Sequence, residues 1–393
     1  MKKLDRFFNN LPKKVIFCKI CVISNQRPRI TFKDGVCSAC IHAENKKKIN
    51  YKDKKEKLSS FLKKFKKKNE WDVIVPCSGG KDSSRVAHIL KNDFGMNPLC
   101  VTFAPNKYTS IGLENFEQFV GSGFSVLNFF FNGELYRKLS RIAFEELGDN
   151  FTPFVFGQMA YGFHIAQKFN INLIFWGENA ELEYGGDTNV TINDRIKTSM
   201  SNEIYWKGSS VRELINVGLK KYPEILKDED INEADLKFLE HPINADEVET
   251  AWMSTYMDWK PQDNYYYCVK NTGFKPNKLI SEGTFSRYAS LDDKLDWLHY
   301  YMMFVKLGIG RATSDACREI REKLITRDEA CLLVNRYDGK YTKNFFDLTL
   351  DYLGLDEEKL LKIVNSYRAD HIWKKVGNEY KLKHNVSGTG VED

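Results

Sequence analysis

The segment Val73-Ile-Val-Pro-Cys-Ser78-Gly79-Gly80-Lys81-Asp82-Ser83-Ser84 constrains the fold of this chain more than any other. A short apolar strand runs into a Ser/Gly loop, and the residues after it open a helix reaching about Asn92. Gly79 and Gly80 are expected to turn the backbone through positive φ and to admit an anion at close range. The free N–H groups and positive dipole end of the helix then face that anion. Ser78, Ser83 and Ser84 add hydroxyls, and Lys81 adds a cation. The spacing is neither G-x-x-x-x-G-K-[ST] nor G-x-G-x-x-G, which excludes two common nucleotide loops. Such a loop belongs at the carboxyl end of a strand, where open α/β sheets bind ligands.

Further strands are expected over Pro98–Ala104, Phe124–Phe131 and Ile171–Trp176, with helices over Thr109–Gly121, Gly133–Leu147 and Pro153–Phe169. Strands and helices alternating at this spacing predict an α/β fold, a Rossmann-like doubly wound parallel sheet. From Glu181 to about Ser290 the pattern weakens into loops rich in aromatics. From Leu291 it is helical again, with candidates at Ser314–Leu324, Thr326–Tyr337 and Asp356–Ser366. The tail after His384 is Gly/Ser/Thr-rich and is expected to fray.

Upstream of the loop, Cys18-x2-Cys21-x15-Cys37-x2-Cys40 has zinc-ribbon spacing. Four thiolates around Zn²⁺ leave no open coordination position, so the expected role of the metal is folding. An iron–sulfur cluster on the same ligands is the alternative. Asp34-Gly35 between the pairs fits a hairpin turn. Residues 46–68 are Lys-rich, with Leu58, Phe61, Leu62 and Phe65 on one helical stripe. The expected divisions are residues 1–45 (ribbon), 46–70 (basic helix), 71–180 (nucleotide-binding domain) and 181–393 (substrate-binding and helical region).

Charge is uneven. Residues 1–70 hold 21 Lys/Arg against 6 Asp/Glu, and the remainder 38 against 47. A basic start raises nucleic-acid binding, but an acidic body is a poor surface for a polyanion. The basic helix is expected to dock on the body or on a partner subunit. No apolar stretch reaches the length of a membrane span, and the start lacks a signal-peptide core. A soluble, cytoplasmic chain with no membrane insertion is expected.

SGGKDS resembles the pyrophosphate loop of the PP-loop ATP pyrophosphatases (adenine nucleotide alpha-hydrolase-like), which include NAD synthetase, asparagine synthetase and tRNA thiolases. The resemblance implies ATP cleavage between the α and β phosphates. It places Phe103 and Ala104 near the adenine, and Gly177-Glu178-Asn179 at the reacting centre, with Glu178 on Mg²⁺. Asp82 would hold Mg²⁺ or cap the helix, and Lys81 occupies the loop's variable position.

The full order narrows this: ribbon, Lys-rich helix, PCSGGKDSS, WGEN with EYGG, then SLDDKLDWLHYYMMFVKLGIGRATSDACREIR and ITRDEACLLVNRYDG. Over about residues 15–370 it resembles the bacterial N-acetyl sugar amidotransferases of O-antigen and flagellin-sugar loci. What this implies is conversion of an acetamido to an acetamidino group on a diacetamido uronic acid derivative or a pseudaminic/legionaminic-type nonulosonic acid. Ammonia would come from glutaminase and cyclase-like subunits. The chain begins Met-Lys-Lys and carries no G-x-C-x-G elbow, so no glutaminase of its own is expected. Asn179, Glu181, Glu183, Tyr184, Gly185 and Gly186 are the expected sugar site. Asp292, Asp293, Lys294 and Arg311 are candidates for pyrophosphate or substrate contacts. The alternative function is a PP-loop tRNA-thiolating enzyme, although no CxxC follows Cys40.

Overall fold

The computed structural model describes residues 3–186 and 201–387; the end of the Gly/Ser/Thr-rich tail, 388–393, lies outside them. Two short strands, β1 (Phe32–Lys33) and β2 (Val36–Cys37), pair as an antiparallel hairpin. Asp34 (φ 53°) and Gly35 (φ 80°) form its tip, the two positive-φ positions that a tight primed turn requires. Cys37 then leads into the helix Ser38–Lys46, which carries Cys40.

The Lys-rich stretch 46–68 holds one helix, shorter than the stretch itself. Ser38–Lys46 ends, and Asn50, accepting from Lys52 N–H, starts Tyr51–Leu62. Leu58 and Leu62 are fully buried, and Phe61 and Phe65 pack beside them against Val73, Val75 and Phe175 of the central sheet. The apolar stripe is therefore used within the chain, docked on its own body, with most of the lysines solvated.

Five parallel strands make that sheet: β3 (Val73–Pro76), β4 (Pro98–Phe103), β5 (Ser125–Phe129), β6 (Leu173–Trp176) and β7 (Glu249–Trp252). Their order is β5-β4-β3-β6-β7. The chain winds outward from β3 through β4 to β5, then returns to lay β6 on the other side of β3. Side chains alternate across the sheet. Ile74, Leu99, Val101 and Ile174 pack under the helices Gly133–Leu147 and Thr152–Lys168. Val73, Val75, Leu173 and Phe175 pack on the opposite face with the helix Lys81–Asn92. Four strands fall where the sequence predicts them. The fifth, β7, lies inside the weakly patterned stretch, so the sheet extends beyond residue 180.

The C-terminal region is helical as expected, with Arg311–Arg321, Arg327–Tyr337 and Glu357–Asn365 close to their predicted spans. Thr326 and Glu329 form a capping box at the second of these. Two further helices of this helical region, Asp296–Leu307 and Phe346–Leu353, were not given bounds by the sequence reading, which missed a terminal hairpin, β8 (Trp373–Val376) with β9 (Glu379–Leu382). Among the described residues no helix is long and apolar enough to cross a membrane. Lys306, which interrupts the most apolar helix, is buried against Asp5 and the Leu147 carbonyl.

Candidate active site at the switch point of the sheet

The winding direction reverses between β3 and β6, and open α/β sheets carry their ligand crevice at such a point. The loop after β3 and the end of β6 meet there. Gly79 has φ +82°, and a Cβ on it would lie 2.6 Å from Phe116 Cα, so only glycine fits. Gly80 corrects the expectation for the pair: its φ is −68° and it serves as the N-cap. No side chain caps the helix Lys81–Asn92, which leaves its first N–H groups facing the crevice. Asp82 does not cap it either. Its carboxylate pairs with Lys81 at 2.6 Å and accepts from Asn264 Nδ2. Burial pushes the Asp82 carboxyl up, but Lys81, Asn264 and Arg318 outweigh it and hold the group below its usual range.

A cavity of about 520 Å³ opens over this loop. Ser78, Gly80, Lys81, Asp82, Ser83, Phe103, Gly177, Glu178, Asp292, Asp293 and Arg311 all line it, so most of the expected nucleotide site is brought together. Phe103 lies in an aromatic nest with Phe129, Phe131, Phe154 and Tyr161. Gly157 makes the room, because a Cβ there would sit 2.3 Å from the Phe103 ring. Asp292 accepts from Ser78, and burial raises its carboxyl although Ser78 and Lys81 moderate the shift. Its segment is docked by Thr109 N–H to Asp292 O (3.1 Å) and Lys294 N–H to Lys107 O (2.8 Å). Gly112 permits that close approach, with Asp292 Cα 2.8 Å from where its Cβ would be.

A second lobe of about 540 Å³ shares Lys81, Asp82, Glu178, Tyr288, Tyr300 and Arg311 with the first. Tyr184, from the expected sugar segment, lines it. Glu178 stands between the lobes but is engaged, accepting from Arg318 Nη1 (2.6 Å) and Tyr184 OH (2.9 Å).

Other expected residues serve the scaffold. Glu181 takes both Nε and Nη2 of Arg29, at 3.0 and 2.6 Å. Glu183 pairs with Lys46 at 3.0 Å and lies 3.6 Å from Arg318; burial lifts its carboxyl, but His42, Arg318 and Lys46 bring it down to about 2. Both carboxylates thus pair with cations of the N-terminal module, and neither lines the two lobes. Asn179 caps the short turn Ala180–Glu183 and is buried. Asp293 lines the cavity, yet its carboxylate is occupied by Asn106, Lys107 and Leu295 N–H groups. Lys294 lies over the Phe345 ring, away from both lobes. Ser84 is wholly buried behind the loop. Conversely, Gln158, Tyr288, Asp296, His299, Tyr300 and Arg318 line the cleft without having been singled out. His299 and Tyr300 lie on the helix Asp296–Leu307, where a helix-period reading would have shown a polar face.

The four cysteines gather as their spacing predicts. Their sulfurs all lie within 4.8 Å of one another, Cys18 to Cys40 at 4.0 Å and Cys21 to Cys37 at 3.6 Å. Tetrahedral Zn–S bonds of about 2.3 Å put sulfurs roughly 3.8 Å apart, so the set fits such an ion. Backbone N–H groups of Ile20 and Cys37 point at Cys18 Sγ, as they do around metal thiolates. The cluster packs on Ile309, Ala316 and Cys317, and so on the helix Arg311–Arg321.

Residues 282–386, which supply Asp292, Tyr300, Arg311 and Arg318, match the family described as LPS biosynthesis protein WbpG-like, C-terminal domain. The match supports the resemblance to N-acetyl sugar amidotransferases of O-antigen loci and a role in polysaccharide sugar biosynthesis. An uncharacterized protein of Methanocaldococcus jannaschii is 34% identical over 94 residues, 23% of this chain and 33% of that protein. The chain thus aligns with about a third of that relative's length. The WbpG-like segment and the loop Ser78–Ser83 line the same cleft.

Proposed function

We propose that this chain is an ATP-dependent amidotransferase that converts a sugar acetamido group to an acetamidino group, releasing AMP and pyrophosphate. The observation that carries this reading is the shared cleft: a glycine-turned, uncapped anion loop and the LPS-biosynthesis segment line one cavity. ATP would lie with its β and γ phosphates on Ser78, Gly80, Lys81 and Ser83 and its base toward Phe103. The acetamido oxygen attacks the α-phosphorus and pyrophosphate leaves. Ammonia then adds to the activated carbon, AMP leaves, and an amidine remains. An amide carbon is a poor electrophile, so this sequence supplies the leaving group that it lacks. Positioning and charge stabilisation do most of the work in such a site.

Mg²⁺ prefers carboxylate and phosphate oxygens. Asp82, Asp292 and Glu178, whose carboxylates all line the cavity, would hold it. The ion would neutralise phosphate charge. The four-thiol cluster would hold Zn²⁺ in a structural role. Ammonia would arrive from separate glutaminase and cyclase-like subunits. A tRNA-thiolating role gains no support from the site: Cys77 is buried, and among the described residues the cleft is lined by no cysteine pair.

The reading is tested by incubating the chain with ATP, isotopically labelled ammonium and a diacetamido uronic acid. Label should appear in a product amidine. A labelled amidine that forms without ATP would sink the proposal.

A further inference from the structure

Arg27 belongs to the four-cysteine module, between Cys21 and Cys37, yet it lines the second lobe of the cleft more than 150 residues away in sequence from its contact, Gly185. One nitrogen is fixed: Nε donates to the Gly185 carbonyl at 2.8 Å. The guanidinium carbon lies 5.6 Å from the centre of the Tyr184 ring, whose other neighbour, Arg318, stands at 5.5 Å. The two terminal nitrogens of Arg27 have no protein partner among the described residues.

Among the described residues no carboxylate pairs with them, although Glu319 also lines the lobe. Glu181, the carboxylate whose charge acts most on Arg27, is taken on both oxygens by Arg29. Glu178 and Glu322 are held by Arg318 at 2.6 and 3.0 Å, and Asp315 by Arg311 at 3.3 Å. Every other arginine of this lobe thus has a carboxylate of its own. A guanidinium with an anchored Nε and two parallel free donors matches a planar oxyanion in bidentate fashion.

We propose that Arg27, presented by the four-cysteine module, is the anion anchor of the second lobe and recognises a carboxylate on the sugar. This rests on the reading of the cleft as the sugar site. It makes the metal module part of the substrate pocket, because the ribbon fold sets where the guanidinium stands.

The test uses the full-length, metal-loaded chain and two sugars that differ only in the acid group, N-acetylglucosaminuronate and N-acetylglucosamine, with affinity measured by calorimetry. Wild type should prefer the acid by at least about tenfold, the scale of a charge-assisted bond. Arg27→Gln should abolish that preference and leave the neutral sugar unchanged. Arg27→Lys should keep part of it, and serves if Arg27→Gln does not fold. A merely structural arginine would weaken both sugars alike. Equal affinities in wild type, failure of both sugars to bind, or a preference that survives Arg27→Gln overturns the proposal. The amidine reading fails separately, if Arg27-dependent binding is found but no ATP-dependent product forms.

Discussion

Arg318, on a C-terminal helix, donates to Glu178 at the end of β6 across 2.6 Å, and its Nη2 donates to the Trp259 carbonyl at 2.9 Å. One buried guanidinium thereby ties the WbpG-like segment to the carboxyl end of β6 in the central sheet. Removing one partner of such a pair strands the other charge and typically costs about 3–5 kcal/mol. Arg318→Ala should therefore lower the unfolding midpoint strongly, read by thermal denaturation. Arg318→Lys should recover little, since one ammonium cannot span three acceptors.

The two loop glycines should behave oppositely. Gly79→Ala forces a side chain into Phe116 at positive φ, and strain of that kind costs about 1–3 kcal/mol. Nucleotide binding, measured by calorimetry, should fall by at least roughly tenfold. Gly80→Ala meets only Ser78 Oγ at 3.3 Å with ordinary φ, and should keep most of the affinity. Equal losses in both variants would contradict the assigned turn.

Asp296 titrates where it affects stability. Burial and then Asp293 push its carboxyl up to about 8, against the pull of Arg311. An unfolded aspartate titrates near pH 3.9, so between that pH and about 8 the folded chain holds the extra proton. The stabilisation is complete below the unfolded value and is lost as pH rises through 8. Asp296→Asn should flatten this loss, so denaturation midpoints of wild type and variant should diverge as pH rises from about 5 to 8, with wild type falling faster.

The four-thiol cluster should bind one metal ion per chain. Cys37→Ser, or a strong chelator, should release it and expose the N-terminal module to protease, because metal binding in such modules is itself folding free energy. Elemental analysis alongside limited proteolysis checks both. The Arg29–Glu181 pair should be lost with the module.

Much of this architecture was legible in the sequence. Val73–Pro76 and the glycine loop announced the sheet and its ligand end, since a buried strand entering SGGKDS has few other solutions. The cysteine spacing announced the cluster. Other features depended on tertiary contact. Glu181 and Glu183 read as site carboxylates because they follow the strand end, yet each meets a cation from the N-terminal module, a pairing that sequence distance conceals. Asp293 looked identical to Asp292, but three backbone N–H groups claim it. Arg27 gave no local signal, because its role depends on where the ribbon docks.

The central claim is tested most directly by the products formed from ATP. With the full chain, Mg²⁺, ammonium and a diacetamido sugar acid, AMP and pyrophosphate should accumulate in equal amounts and only when the sugar is present, and Asp82→Ala should abolish both while leaving the circular dichroism unchanged. Release of ADP and phosphate, or AMP formed at the same rate without sugar, would contradict it.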